Sequence, residues 1–132
     1  MNIDVHAHII GPAFYDAMKK IPGVTTVPNR YGTGILKNGE TVINVNQDFF
    51  APNHHLHEMD KRRIDLSLLS LTTPNVYVFP KEMQAEAARL ANDEAFDRAR
   101  KLPDRVRVLA SLPLDDIPAS IAEINRVAGM KE

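Results

Sequence analysis

Three short apolar runs, at Ile3 to Ile9, Ile64 to Leu71 and Val106 to Leu112, are each followed by residues whose apolar positions recur at helical spacing. This alternation constrains the chain more than anything else in it. Strands joined through helices do not pair as hairpins; they lie parallel, with right-handed crossovers. The fold class is therefore α/β, with the three strands expected in the order 1-2-3. The first run alternates strictly, Ile3, Val5, Ala7 and Ile9 against Asp4, His6 and His8, as a two-faced strand does. The second, IDLSLLSL, is apolar almost throughout and reads as a more deeply buried strand.

The connections follow from turn and capping chemistry. Pro12 suits the first turn of a short helix reaching to Lys20, with Phe14 and Met18 on one face. Residues 21–33 carry two prolines and two glycines and are expected to be loop. Asn38-Gly39, between Gly34 to Lys37 and Glu40 to Asn46, signals a β-hairpin with a type I′ turn, inserted after the first strand. A helix is expected over about His54 to Arg63, with Asn53 as its cap and Leu56 and Met59 facing inward. Pro80 opens a long helix to about Leu102, whose stripe is Met83, Ala87, Leu90, Ala91, Ala95, Ala99 and Leu102. Asp115 or Asp116 caps the last helix, Pro118 lies in its first turn, Ile117, Ile121, Ile124 and Val127 share a face, and Gly129 ends it.

His6 and His8 point to one side of their strand, roughly 7 Å apart along it. Imidazoles that close can converge on one metal ion. Gly11-Pro12 stops the strand just beyond them, so both sit at its carboxyl end, where parallel α/β folds build their sites. With five histidines in 132 residues the spacing alone leaves a second reading open, two satisfied histidines near a core. Roughly forty residues then separate the first strand from its crossover helix, against the usual two to six of a βα loop. That excursion leaves from the histidines' end, and the hairpin within it is expected to cover that end as a partial lid.

The length fits one domain with a sizeable core, and 44% hydrophobic with 25% charged residues is ordinary for a globular chain. A formal charge of −1 gives no electrostatic reason to expect nucleic acid or an anionic membrane as partner. Without cysteine there is no disulfide, thiolate ligand or cysteine nucleophile. No apolar run is long enough to span a bilayer and no basic leader precedes Asp4, so the expected location is cytoplasmic.

Several segments together resemble the metal-dependent amidohydrolase-related decarboxylases, the aminocarboxymuconate-semialdehyde decarboxylase type in particular. They are Ile3-Asp4-Val5-His6-Ala7-His8-Ile9, Leu36-Lys37-Asn38-Gly39, Glu58-Met59-Asp60, Leu69-Ser70-Leu71-Thr72, Leu90-Ala91-Asn92-Asp93 and Leu112-Pro113-Leu114. The resemblance implies a (β/α)8 TIM-type barrel, of which residues 1–132 would be the amino-terminal three βα units of a single, here incomplete, domain. It implies Zn2+ or another divalent metal as cofactor, with His6 and His8 as ligands. The other ligands and the catalytic residues are expected beyond Glu132. Where the family has an arginine gripping a substrate carboxylate on the hairpin's second arm, Asn46 stands here, and Arg30 is a substitute from the preceding loop.

Asn46 and Thr72 are the candidate substrate-binding residues, with Thr73 and Ser111 as further strand-end hydroxyls. Asp4 is expected on the histidines' face, either orienting a ligand or as a plain polar residue. His54, His55 and His57 read as a surface trio, and Glu82, Glu86, Asp93 and Asp97 as the solvated face of the long helix. The implied function is a zinc-dependent carboxy-lyase for a small-molecule unsaturated or aromatic carboxylic acid, homo-oligomeric as the full-length parent, with the fragment alone inactive. The alternatives are a metal-dependent hydrolase of the amidohydrolase superfamily and a non-catalytic truncated α/β fragment. Three βα units by themselves leave sheet edges open, so exposed apolar surface and self-association are expected of the isolated chain.

Overall fold

The computed structural model describes residues 1–130. The chain runs β1 (Ile3–Ile9), α1 (Pro12–Met18), β2 (Val24–Asn29), β3 (Gly32–Lys37), β4 (Glu40–Val45), α2 (Pro52–Lys61), β5 (Leu66–Leu71), α3 (Gln84–Lys101), β6 (Val106–Leu109) and α4 (Ile117–Ala128). Short 3-10 turns occupy Gln47–Phe50, Asn75–Val78 and Lys81–Met83. β1, β5 and β6 form a parallel sheet in that order, as the helix between successive strands requires. No helix among the described residues is long and apolar enough to cross a membrane.

β2, β3 and β4 form a second, antiparallel sheet, so the expected hairpin is the distal part of a three-stranded meander. Asn38 (φ 54°) and Gly39 (φ 86°) both adopt the left-handed conformation that a type I′ turn needs. The loop expected over 21–33 is overturned: Val24 to Asn29 pair with Lys37 to Gly32 along the whole of β3. Pro28 has no N–H to give, but β2 is an edge strand, where a missing donor is tolerated.

Other boundaries moved for local reasons. α2 starts at Pro52, which fits a first turn, and Ala51 rather than Asn53 occupies the cap position, without a side-chain bond. β6 stops at Leu109 because Asn92 takes over the next backbone groups. Its Oδ1 accepts from Ser111 N (2.8 Å) and its Nδ2 donates to Ser111 O (3.0 Å). Asp116 caps α4, accepting from Ala119 N at 3.0 Å.

Two apolar clusters hold the molecule together. In one, α3 packs on the sheet through Ala95 and Ala99 against Ile9, Leu69 and Val106. In the other, Phe14 and Met18 of α1, Ile35 and Val45 of the meander, and Val76, Val78 and Phe79 close around Ile10 and Leu71. Ile10 and Leu71 stand where β1 and β5 end, so the meander sits at the carboxyl end of the parallel sheet. Asp93 keeps a 46% exposed side chain and also pairs with Arg126 of α4 at 2.7 Å. α4 in fact buries its polar side, Glu123 accepting from Asn92 of α3 and Ser120 donating to the Pro113 carbonyl. Its apolar residues Ile117, Ile121 and Ile124 remain 60%, 55% and 46% exposed.

Glu94 of α3 supplies what α1 lacks. No side chain caps α1 at Gly11, and the Glu94 carboxylate instead accepts from Ala13 N (2.7 Å) and Phe14 N (3.0 Å). A Cβ at Gly11 would lie 2.1 Å from that carboxylate. Gly11→Ala and Glu94→Ala should therefore each cost about 1–2 kcal/mol, the value of a helix cap. The double variant should cost little more than either, because both remove one interaction. Urea unfolding midpoints of the three variants check this.

Candidate metal centre

The position of the histidines depends on an irregularity in β1. Its ladder to β5 pairs Ile3 with Leu66 and Asp4 with Ser67, then resumes with Ala7–Leu69, His8–Ser70 and Ile9–Leu71. Val5 and His6 thus face a single residue of β5, a bulge of one residue. Partners in a parallel ladder share a face, and Ser67 and Ser70 are three residues apart, so Asp4 and His8 lie on opposite faces. Ser67 and Leu69 belong to the fully buried face, against which α3 packs. His8 and Ser70 belong to the other, open face. The expectation that Asp4 shares the histidines' face is corrected by this bulge, which strict alternation did not include.

The His6 and His8 rings meet edge to face with centroids 4.7 Å apart, and both residues are exposed. Ser70 Oγ donates to the Ala7 carbonyl (3.5 Å) and lies 3.2 Å from His8 Nδ1. With Nδ1 paired to the Ser70 hydroxyl, Nε2 is the His8 ring nitrogen open to a cation. This donor set fits part of a divalent metal shell and no more. Among the described residues no three His, Cys, Asp or Glu side chains stand close enough to hold a metal ion together.

Beside His8 opens a cavity of about 230 Å³, lined by Asn46, Asp48, Phe49, His54, His55, Glu58 and Arg98. Asn46 reaches it from the end of β4, its Oδ1 accepting from Asp48 N at 2.9 Å and starting the turn Gln47–Phe50. The structure thus joins Asn46 to His8. It does not join Thr72, whose carbonyl accepts from Asn75 N (2.8 Å) at the end of β5, outside this cavity. Arg30 is also elsewhere, stacked on Tyr31 in the β2–β3 turn. Of the expected surface trio, His54 and His55 line the cavity and His57 does not.

Arg98 was missed. Its Nη2 donates to the carbonyls of Phe49 (3.3 Å) and Phe50 (3.2 Å) and so ties the turn beside Asn46 to α3. The signal was present: Ala91, Ala95 and Arg98 fall at spacings of four and three, which puts a charged residue on the helix's inward stripe.

His55 is half-buried, and burial first, with the nearby Arg98 charge second, pushes its pKa below the ordinary histidine value. Its folded form therefore resists a proton that the unfolded chain accepts. The sign follows: stability is complete above about pH 6.5 and falls as the pH drops from there through the depressed folded value. Urea midpoints between pH 7.5 and 5 should decline, and His55→Gln should flatten that decline.

No protein-family model matches the chain. The 2-amino-3-carboxymuconate-6-semialdehyde decarboxylase of Caenorhabditis elegans is 26% identical over 125 residues, covering 91% of this chain and 31% of that protein. The gamma-resorcylate decarboxylase of Rhodococcus jostii (strain RHA1) is 41% identical over 69 residues, 52% of this chain and 21% of that protein. The chain is thus similar to decarboxylases by sequence and by fold. It spans about a third or less of the length of these decarboxylase relatives. Solved decarboxylases share its fold. The 2,6-dihydroxybenzoate decarboxylase from Rhizobium is 30% identical with a TM-score of 0.61, covering 98% of this chain and 35% of that one. Metarhizium anisopliae IDCase, at 22% identity, has a TM-score of 0.81 and covers 99% of this chain and 40% of that one. A dihydroxybenzoic acid decarboxylase from Polaromonas sp. JS666, with bound manganese and the inhibitor 2-nitroresorcinol, is 22% identical with a TM-score of 0.64, covering 98% of this chain and 36% of that one.

Proposed function

We propose that residues 1–132 supply the amino-terminal three βα units of a (β/α)8 barrel in a metal-dependent carboxy-lyase for an unsaturated or aromatic carboxylic acid, with His6 and His8 as two of the metal's ligands. The observation that carries this is the convergence of the two rings at the carboxyl end of β1, with the Ser70 hydroxyl 3.2 Å from His8 Nδ1. The decarboxylase relatives favour lyase over hydrolase chemistry. An open edge on β6 and the uncovered apolar side of α4 are what a piece of a larger sheet presents.

The expected ion is Zn2+, and the manganese of the Polaromonas decarboxylase widens that to a divalent metal. When bound, it supplies a positive centre that orients the acid's oxygens. The chain's own residues do the rest of what this part of the site needs. Asn46 lines the cavity beside His8 and, with its Oδ1 engaged by Asp48 N, has its amide NH2 as the group it can offer a carboxylate. Arg98 keeps the Gln47–Phe50 turn in place, and the meander packs against the carboxyl end of the sheet through Ile35 and Val45. Thr72 is a second, more distant hydroxyl for substrate. Proton delivery to the carbon that loses carbon dioxide belongs to residues expected beyond Glu132, so the segment alone should not turn over.

The test is carbon dioxide release from 2,6-dihydroxybenzoate and from 2-amino-3-carboxymuconate semialdehyde by a protein carrying this segment in a complete barrel. The measurement is made with Zn2+, with Mn2+ and after chelation. Metal-dependent release from either acid supports the reading. A metal-loaded protein that releases none from either, yet hydrolyses amides or esters, overturns it.

A further inference from the structure

We infer that Asp4 is a positioning residue for the His6/His8 pair: its carboxylate pins the β1 bulge that turns both imidazoles to the open face of the sheet. The use of that pair as ligands rests on the metal reading above, whereas the pinning of the bulge does not.

The geometry is specific. Had the ladder continued without a break from Asp4–Ser67, His6 would stand opposite Leu69 and His8 opposite Leu71. Those are the buried positions that face α3, now filled from β1 by Ala7 and Ile9. A one-residue slip moves every side chain of a strand to the other face. The bulge is therefore what separates a solvent-facing imidazole pair from a pair buried against Ala95 and Ala99. A bulge also has a cost, since neither Val5 nor His6 has a partner in β5, and an unpaired backbone donor weakens the strand. Asp4 Oδ1 accepts from His6 N at 3.0 Å, a turn closed by a side chain two residues back. That contact engages Oδ1, the oxygen that reaches back along the strand. The action is hydrogen-bond acceptance, and a negative charge is not needed for it.

This separates the variants. Asp4→Asn keeps an acceptor oxygen and loses the charge; Asp4→Ala loses both. In the metal-free chain, carbethoxylation of each histidine by diethyl pyrocarbonate is followed by peptide mass spectrometry, with exposed His54 and His57 as internal references. Zn2+ affinity is measured separately, in a complete-barrel protein carrying this segment, by competition with a chromophoric chelator. Asp4→Asn should match the wild type in both. Asp4→Ala should slow modification of His6 and His8 relative to the references, and should weaken Zn2+ binding about 10–100-fold, the range for losing a group that orients a ligand. Equal loss in Asp4→Asn and Asp4→Ala would show that the charge acts, and overturns the inference. So does a folded Asp4→Ala chain with wild-type histidine reactivity. If Asp4→Ala does not fold, hydrogen exchange in the wild type decides: the His6 amide should be protected although it has no ladder partner, and rapid exchange there overturns the inference. Failure of the metal reading looks different. His6→Ala and His8→Ala chains would then keep wild-type Zn2+ affinity, while reactivity and exchange still report on Asp4.

Discussion

A complete-barrel protein carrying His8→Ala is expected to be purified without its divalent ion and without decarboxylase activity. A catalytic metal of this type usually rests on three protein ligands with one position left for substrate or water. Removing one of three leaves too few donors to hold it against solvent. His6→Ala should behave the same way, because the two rings stand as a pair with centroids 4.7 Å apart. Ser70→Ala should have a graded effect. It leaves both imidazoles but frees the His8 ring, whose Nδ1 lies 3.2 Å from the Ser70 hydroxyl. Metal affinity should then fall about 10–100-fold with the ion still loadable at high concentration. Metal content by elemental analysis, read beside turnover, checks all three. Stoichiometric metal and full turnover in both histidine variants would leave the pair as exposed strand-end histidines with no part in the metal site.

Phe14→Ala should be the most damaging single truncation in the described core. Phe14 is 2% exposed and meets the Phe79 ring edge-on at 5.3 Å. Its cluster is the one place where α1, the meander and the segment after β5 meet. Emptying it removes the ring's burial and leaves a cavity that three separate elements would have to move to fill. The expected loss is about 3–5 kcal/mol. Against a typical total of about 5–15 kcal/mol that is enough to populate unfolded chain at room temperature. Lys20→Ala, on the exposed surface just beyond α1, should change the urea midpoint little. An unchanged midpoint in Phe14→Ala would mean that α1 and the meander do not share a core.

The sequence by itself determined the α/β class, the parallel order of β1, β5 and β6, the type I′ turn at Asn38-Gly39 and the capping of α4 by one of the pair Asp115-Asp116, of which the structure uses Asp116. These are local or periodic properties: a strand between helices, a dipeptide that tolerates positive φ, a carboxylate three residues before an open amide. It also placed His6 and His8 together at a strand end, because residues two apart in a strand share a side whatever that strand packs against. Only the tertiary structure decided which side that is. The face depends on register with β5, and one inserted residue between Asp4 and Ala7 reverses it without any trace in the alternation of β1 itself. The same holds for β2, whose Pro28 is tolerable only because no strand pairs on its far side, and for Glu94, which caps a helix 80 residues away from it in sequence. The exposed apolar side of α4 is the reverse case. Its period was legible, but what a helix buries is set by its neighbours, and here Asn92 and Asp93 of α3 draw the polar side of α4 inward.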